Sequence, residues 1–175
     1  MKCISILQPW ASLVVTKDPI TGKAYKQIET RSRNTKFRGP ILIHASKKGM
    51  LNWMKELVNK WIIPYNPKLQ FTTGAIIGMV NVVDTFSTNP TARNSKYLLN
   101  WYAEVDGKRW VLNDQEIAFG DYSENRYGWL LSDPILFKDP IPCKGNLSIW
   151  NLPKELEDSV INVFGLGEVA EPELK

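Results

Sequence analysis

Apolar and polar positions along the chain fall into short blocks of alternating character. Lys2 to Leu7 is an apolar strand. In the stretch 8–15, Pro9 sits where a helix's first turn tolerates it, and Trp10, Leu13 and Val14 fall at helical spacing with one buried face. A polar loop with Pro and Gly punctuation runs from Lys17 to Lys23. Ile41-Leu42-Ile43, closed by His44, reads as a central strand after a turn around Arg38-Gly39-Pro40. Residues 50–58 carry apolar positions near the 3.6 period, an amphipathic helix ending before Pro64 whose Trp and Met stripe reads as core.

The longest apolar run, 74–84, holds two glycines and many β-branched residues, which predicts a long bent strand that turns a barrel corner. Residues 85–113 are polar, except that 108–112 form a short strand after the Asp106-Gly107 turn signal. Residues 126–131 alternate as a strand, 135–137 form a further short one, 141–150 close the body, and a final helix begins at 151–156. Five to seven short strands, two or three helices and no regular βαβ alternation predict an α+β, mostly β architecture: a small antiparallel β-barrel with helices at its openings. Residues 1–150 form the domain, and 151–175 a C-terminal helix and acidic tail.

Composition narrows the function classes. The 175 residues fit one domain, and 43% hydrophobic residues suffice for a core. No apolar run reaches the roughly 18 residues of a membrane span, and Met1 to Ile4 carries no signal-peptide hydrophobic region, so no membrane partner is expected. Two cysteines, Cys3 and Cys143, without metal-ligand spacing fit a reducing, cytoplasmic setting. His44 is the only histidine, so it cannot make a metal site with another, and no metal or cofactor is implied. The net charge of +4 is modest, but its placement is uneven. From Lys17 to Lys48 nine Lys or Arg face only Asp18 and Glu29, whereas six acids face only Lys175 from Glu155 onward. A basic N-terminal region points to an anionic partner.

The densest chemistry lies in Lys26-Gln27-Ile28-Glu29-Thr30-Arg31. In an extended chain Gln27, Glu29 and Arg31 share one face; a turn at Lys26 would swing its ammonium beside Glu29. The bland reading is an exposed ion pair, which contributes little. No P-loop, dinucleotide fingerprint or nucleophile elbow occurs. Ser12 has no histidine at motif spacing, and His44 reads first as a hydrogen-bonded structural residue.

Several blocks together resemble the ASCH domain family: Ile6-Leu7-Gln8-Pro9-Trp10-Ala11, Lys26-x-x-Glu29-x-Arg31, 38–46, 74–78, Glu116-x-x-Phe119-Gly120-Asp121-Tyr122 with Arg126-Tyr127-x-Trp129, and 141–145. The resemblance covers about residues 3 to 150 in order. It implies a PUA-like barrel with a basic cleft and binding of RNA or another nucleic acid, DNA included, or of a modified nucleoside. The residues so implicated are Gln8, Trp10, Lys26, Glu29, Arg31, Arg33, Lys36, Arg38, His44, Ser46, Lys47, Tyr127 and Trp129. Small members resemble amidohydrolases that deacetylate N(4)-acetylcytidine. That alternative makes Lys26, with Glu29 or Glu116, the catalytic set, metal-independent. Two positions depart from the pattern: Ala24 stands for the motif's glycine, and Glu29 for the threonine of the deacetylating members. A third reading is a protein-interaction module. The oligomeric state is left open.

Overall fold

The computed structural model describes residues 1–62, 66, 69–88 and 102–163; of 102–105 only the backbone path is described. The predicted end of the second helix at Pro64, most of the polar stretch after 88 and the acidic tail beyond 163 lie outside the described residues.

The chain runs β1 (Lys2–Ile6), α1 (Trp10–Val15), β2 (Ile28–Arg31), β3 (Gly39–Ala45), α2 (Asn52–Trp61), β4 (Ala75–Ser87), β5 (Tyr102–Val105), β6 (Lys108–Val111), α3 (Asp114–Ala118), β7 (Tyr127–Pro142), β8 (Ile149–Asn151) and α4 (Glu157–Val163). Six strands form one sheet in the order β2-β7-β4-β3-β1-β8, curled into a half-barrel, and β5 and β6 form a separate hairpin. Every neighbouring pair in the sheet is antiparallel except β1 and β3, so the antiparallel barrel expected from the sequence carries one parallel pair.

Alternation in the strands explains how one sheet serves two cores. Ile4 and Ile6 of β1, with Ile41 and Ile43 of β3, pack on one face against Ala11, Val14 and Val15 of α1. Cys3 and Leu42, which point the other way, join Phe137, Trp150 and Val160 of α4. Strands buried on both faces read as unbroken apolar runs, which is the character of 41–43 and 74–83. Leu13 on the far side of α1 meets Val58, Ile62 and Phe119, so α1 is wrapped on two sides.

β4 and β7 pair over nearly their whole length, with register shifts at Ile76/Gly78, Met79/Asn81 and Val82/Asp84. These irregularities bend the sheet. At one of them Gly78 is required by close approach: a Cβ there would lie 2.3 Å from the Ile135 carbonyl and 2.8 Å from Val15 Cβ.

Four sequence expectations are corrected. The strands read at 126–131 and 135–137 are one strand, β7, because the chain passes Asp133 in a left-handed conformation (φ 52°) and stays paired beyond it. Pro9 caps α1 from outside, after a cis Gln8–Pro9 peptide, rather than opening its first turn. The α2 stripe is core only at Met54 and Val58, while Trp53 is 50% exposed. A one-turn helix, α3, forms where none was read, capped by Asn113, whose side chain accepts from Glu116 N at 2.8 Å. The short strand expected after Asp106-Gly107 forms as β6, joined to β5 through that turn, with both turn residues at positive φ.

Candidate functional site

At one end of the half-barrel, strand β2, the segment after β1, the start of α2 and the loop after α3 enclose a cleft of about 410 Å³. Its walls include Trp10, Glu29, Arg31, Trp53, Asp121 and Arg126. Glu29 and Arg31 alternate on β2 and so share a face, as their spacing predicts. Arg31 Nε lies 3.0 Å from Glu29 Oε1, and Arg31 Nη2 donates to the Ser5 carbonyl at 2.8 Å. The guanidinium is thus fixed from both sides in the cleft wall. The same cleft is lined by two indoles: Trp10 and Trp53 have ring centroids 6.3 Å apart, and Trp10 is braced by Phe119 at 5.3 Å. At the rim, Arg126 Nε pairs with Asp121 Oδ2 at 3.2 Å.

The lining therefore differs in charge from the basic cleft the sequence implies. Arg31 faces Glu29, and Arg126 faces Asp121, so each of the cleft's cations has its carboxylate.

Lys26 and Glu116, the proposed catalytic pair, are brought together behind this cleft, and neither lines it. Lys26 precedes β2, and Glu116 is the third residue of α3. Lys26 is 1% exposed and Glu116 3%. Lys26 Nζ donates to the Ile28 carbonyl and lies 3.4 Å from Glu116 Oε1. Glu116 also accepts from the main-chain N–H of Gln27 at 2.8 Å and of Ile28 at 3.1 Å. Burial pushes the Glu116 carboxyl above the usual carboxylate range, while the Lys26 ammonium and the two N–H groups pull it back. Tyr122 places its hydroxyl among these groups. Burial first, then the Glu116 and Glu29 carboxylates, hold its phenol far above the ordinary value, so it stays protonated.

The remaining sequence candidates scatter. Gln8 is buried as a clamp on α1: its amide donates to Ser12 Oγ and the Thr72 carbonyl, and its carbonyl accepts from Ser12 N. Trp129 lies in the core with its indole N–H on the Arg33 carbonyl at 3.3 Å, and Tyr127 packs against the same core, so neither offers a stacking face to the cleft. Arg38 is held by Asp84 at 2.5 Å and by the carbonyls of Thr35 and Phe37. Arg33 and Lys36 are exposed on the segment between β2 and β3. His44 is buried, with Nε2 on the Cys143 carbonyl at 3.2 Å and its ring edge-on to Trp150. Ser46 and Lys47 follow it at the surface. Sequence reasoning missed Trp53, Asp121 and Arg126 as lining residues. Asp121 and Arg126 carried a readable signal, an acid and a guanidinium flanking a short aromatic-rich turn. Trp53 carried none, since its helical spacing is that of a core residue.

Among the described residues, no group of three His, Cys, Asp or Glu is placed to hold a metal ion. No described helix is long and apolar enough to cross a membrane.

Comparison with known structures finds the ASCH protein of Zymomonas mobilis, with a TM-score of 0.52 and 16% identity over 92% of this chain and 93% of that one. A point variant of the same protein gives 0.50 and 16%, covering 93% and 94%. In sequence the chain is similar to human Activating signal cointegrator 1, 25% identical over 159 residues. That match takes in 88% of this chain and 22% of the relative, so the chain spans less than a quarter of that protein's length. No family model matches the chain.

Proposed function

We propose that this chain, which has the fold of the ASCH domain, binds RNA by seating one unpaired base in the cleft between Trp10 and Trp53 and the Glu29–Arg31 pair. One observation carries the reading. A half-exposed indole stands beside a second indole, in the same cleft as a carboxylate and a guanidinium fixed side by side. Indole faces are stacking platforms for any nucleobase, worth about 1–3 kcal/mol per base. A carboxylate accepts from ring and amine N–H groups while a guanidinium donates to ring nitrogens and carbonyls, so the pair can meet the edge of a splayed-out base. A cleft of this size takes a base and its ribose, not a duplex.

The test is a tryptophan-fluorescence titration with short single-stranded RNA at rising salt, with DNA of the same sequence and an RNA duplex alongside. Quenching by the single strand that is weakened about tenfold in Arg31→Ala is the expected result. No binding at low salt refutes the reading.

A hydrolytic reading rests on a different observation: a carboxylate whose proton affinity is raised by burial sits against an ammonium behind the same cleft. Such a pair could activate water and pass a proton to a leaving amine, as removal of the acetyl group of N(4)-acetylcytidine requires. It would have to open toward the cleft first, because both side chains are enclosed. Incubation with N(4)-acetylcytidine decides it: release of cytidine that is lost in Lys26→Met supports hydrolysis, and no release refutes it.

A further inference from the structure

A second cavity, of about 520 Å³, adjoins the cleft and shares Ser5 with it. Ser5 sits beside His44 in the parallel β1–β3 register, and the Arg31 guanidinium rests on its carbonyl, so this one residue forms the partition between the two hollows. The second cavity is walled by Ser5, His44, Ser46, Lys47, Lys144 and the 145–147 loop.

Its chemistry is the reverse of the cleft's. No carboxylate lines it. Neither Lys47 nor Lys144 has an acidic partner among the described residues. Ser5 Oγ accepts from the Trp150 indole N–H at 3.3 Å, and Ser46 Oγ accepts from Lys48 N at 3.4 Å. Each hydroxyl has thereby used an acceptor position and keeps its proton to give. Burial pushes the His44 imidazole below the ordinary value, and the Lys47 ammonium adds to this against the raising effect of the Cys143 carbonyl, so the ring favours its neutral form. Two ammonium groups and two donating hydroxyls around one hollow are complementary to an oxyanion.

Glycines allow close packing beside both lysines. The stem of Lys47 lies over Gly74, where a Cβ would come within 3.0 Å of Lys47 Cγ. The Gly145 main chain lies on the His44 ring, where a Cβ would be 2.4 Å from Nδ1 and 2.7 Å from Ser5 Oγ, and the preceding residue, Lys144, lines the same cavity as Lys47.

We infer that this cavity is a phosphate subsite that takes the phosphodiester next to the base held in the cleft, so that the ligand is a polynucleotide strand running over Ser5 and not a free nucleoside. The inference rests on the base-cleft reading above. It also resolves the charge balance of the cleft: the base site is neutral overall, and the charge for the backbone is supplied next door.

The experiment uses a fluorescein-labelled, random-sequence RNA hexamer, anisotropy readout and a salt series, with the wild type, Lys47→Ala/Lys144→Ala and Arg31→Ala. Both lysines are exposed, and unchanged circular dichroism confirms the fold of each variant. The double lysine variant is expected to bind about tenfold more weakly and to lose about 0.7 from the magnitude of the log–log salt slope, the contribution of one phosphate contact in a single strand. Arg31→Ala is expected to weaken binding with the slope unchanged. Wild-type affinity and slope in the double lysine variant, with Arg31→Ala still impaired, overturns the subsite alone. Wild-type affinity in Arg31→Ala, or no binding of the hexamer by the wild type, overturns the base-cleft reading and the subsite with it.

Discussion

Removing the carboxylate of Glu116 is the sharpest test of what Lys26 does. Glu116→Ala takes away the acceptor of two main-chain N–H groups, at 2.8 and 3.1 Å, and the counter-charge of an ammonium that is 1% exposed. Breaking a buried ion pair by deleting one partner costs about 3–5 kcal/mol, because the orphaned charge cannot be hydrated. Against a typical total stability of about 5–15 kcal/mol, that is a large share. Lys26→Met leaves the carboxyl with both N–H donors and free to take up a proton, so its cost is smaller, about 1–3 kcal/mol. The double variant Lys26→Met/Glu116→Gln keeps an amide carbonyl facing Gln27 N and Ile28 N and removes both charges. It is expected within about 2 kcal/mol of the wild type, a strong positive coupling in a double-mutant cycle. Urea unfolding followed by tryptophan fluorescence measures these proteins together with Glu116→Gln, the single variant that closes the cycle, with constant m-values as the control. The pH dependence adds a sign. Burial raises the native pKa of Glu116 above its ordinary 4.5, so its proton-linked stabilisation is full below about 4.5 and is lost as pH rises through the native value. Stability of the wild type relative to Glu116→Gln therefore declines over that window. A cost below about 1 kcal/mol for Glu116→Ala, or simple additivity in the cycle, refutes the view that Lys26 and Glu116 act as one buried ion pair.

Two further outcomes follow from the packing. In Gly78→Ala the new methyl meets the Ile135 carbonyl and Val15, neither of which can yield without opening the β4–β7 bulge, and calorimetry should register a loss of about 2–3 kcal/mol. For His44, burial holds the native pKa below 6.5, so stability is full above about 6.5 and falls as pH drops from there through the native value. Thermal melts between pH 7.5 and 5 should show that fall in the wild type and a flatter profile in His44→Gln. A wild-type profile as flat as the variant's would refute it.

Much of the scaffold was legible because burial on known faces leaves periodic traces. Ile4 and Ile6, or Ile41 and Ile43, declare a strand through β-branched residues in a short run, and Trp10, Leu13 and Val14 declare a helix by spacing. The motif resemblance to ASCH domains agrees with the fold. What stayed hidden was set by long-range geometry. Asp133-Pro134 looks like a strand end, yet β4 keeps the chain paired past it, with the register shifting between Asn81–Ser132 and Met79–Ile135. The five residues of α3 are too few for a period to emerge, although Asn113-x-x-Glu116 had the spacing of a helix cap. In the site, the alternation of Glu29 and Arg31 was readable from β2 alone. That Lys26 lies behind the cleft, and that Arg38 is already engaged by Asp84 from β4, depends on partners 90 and 46 residues away. Composition shows such a cation but not its partner.

The pairing of β1 with both β3 and β8 has a consequence for how the chain acquires its shape during synthesis. Lys2 to Ile4 find their antiparallel neighbours only at Ile149 to Asn151. During synthesis β1 therefore keeps one unpaired edge until nearly 150 residues have followed it. Contacts of such sequence separation close slowly, and an open edge is the part of a nascent sheet most exposed to wrong partners. The Leu42 side of the sheet waits equally for Trp150, Leu152 and Val160 to cover it. Truncations that stop before residue 149 should then yield a chain whose cleft-forming elements are all present and whose solubility is nonetheless poor, since what the last strand supplies is closure.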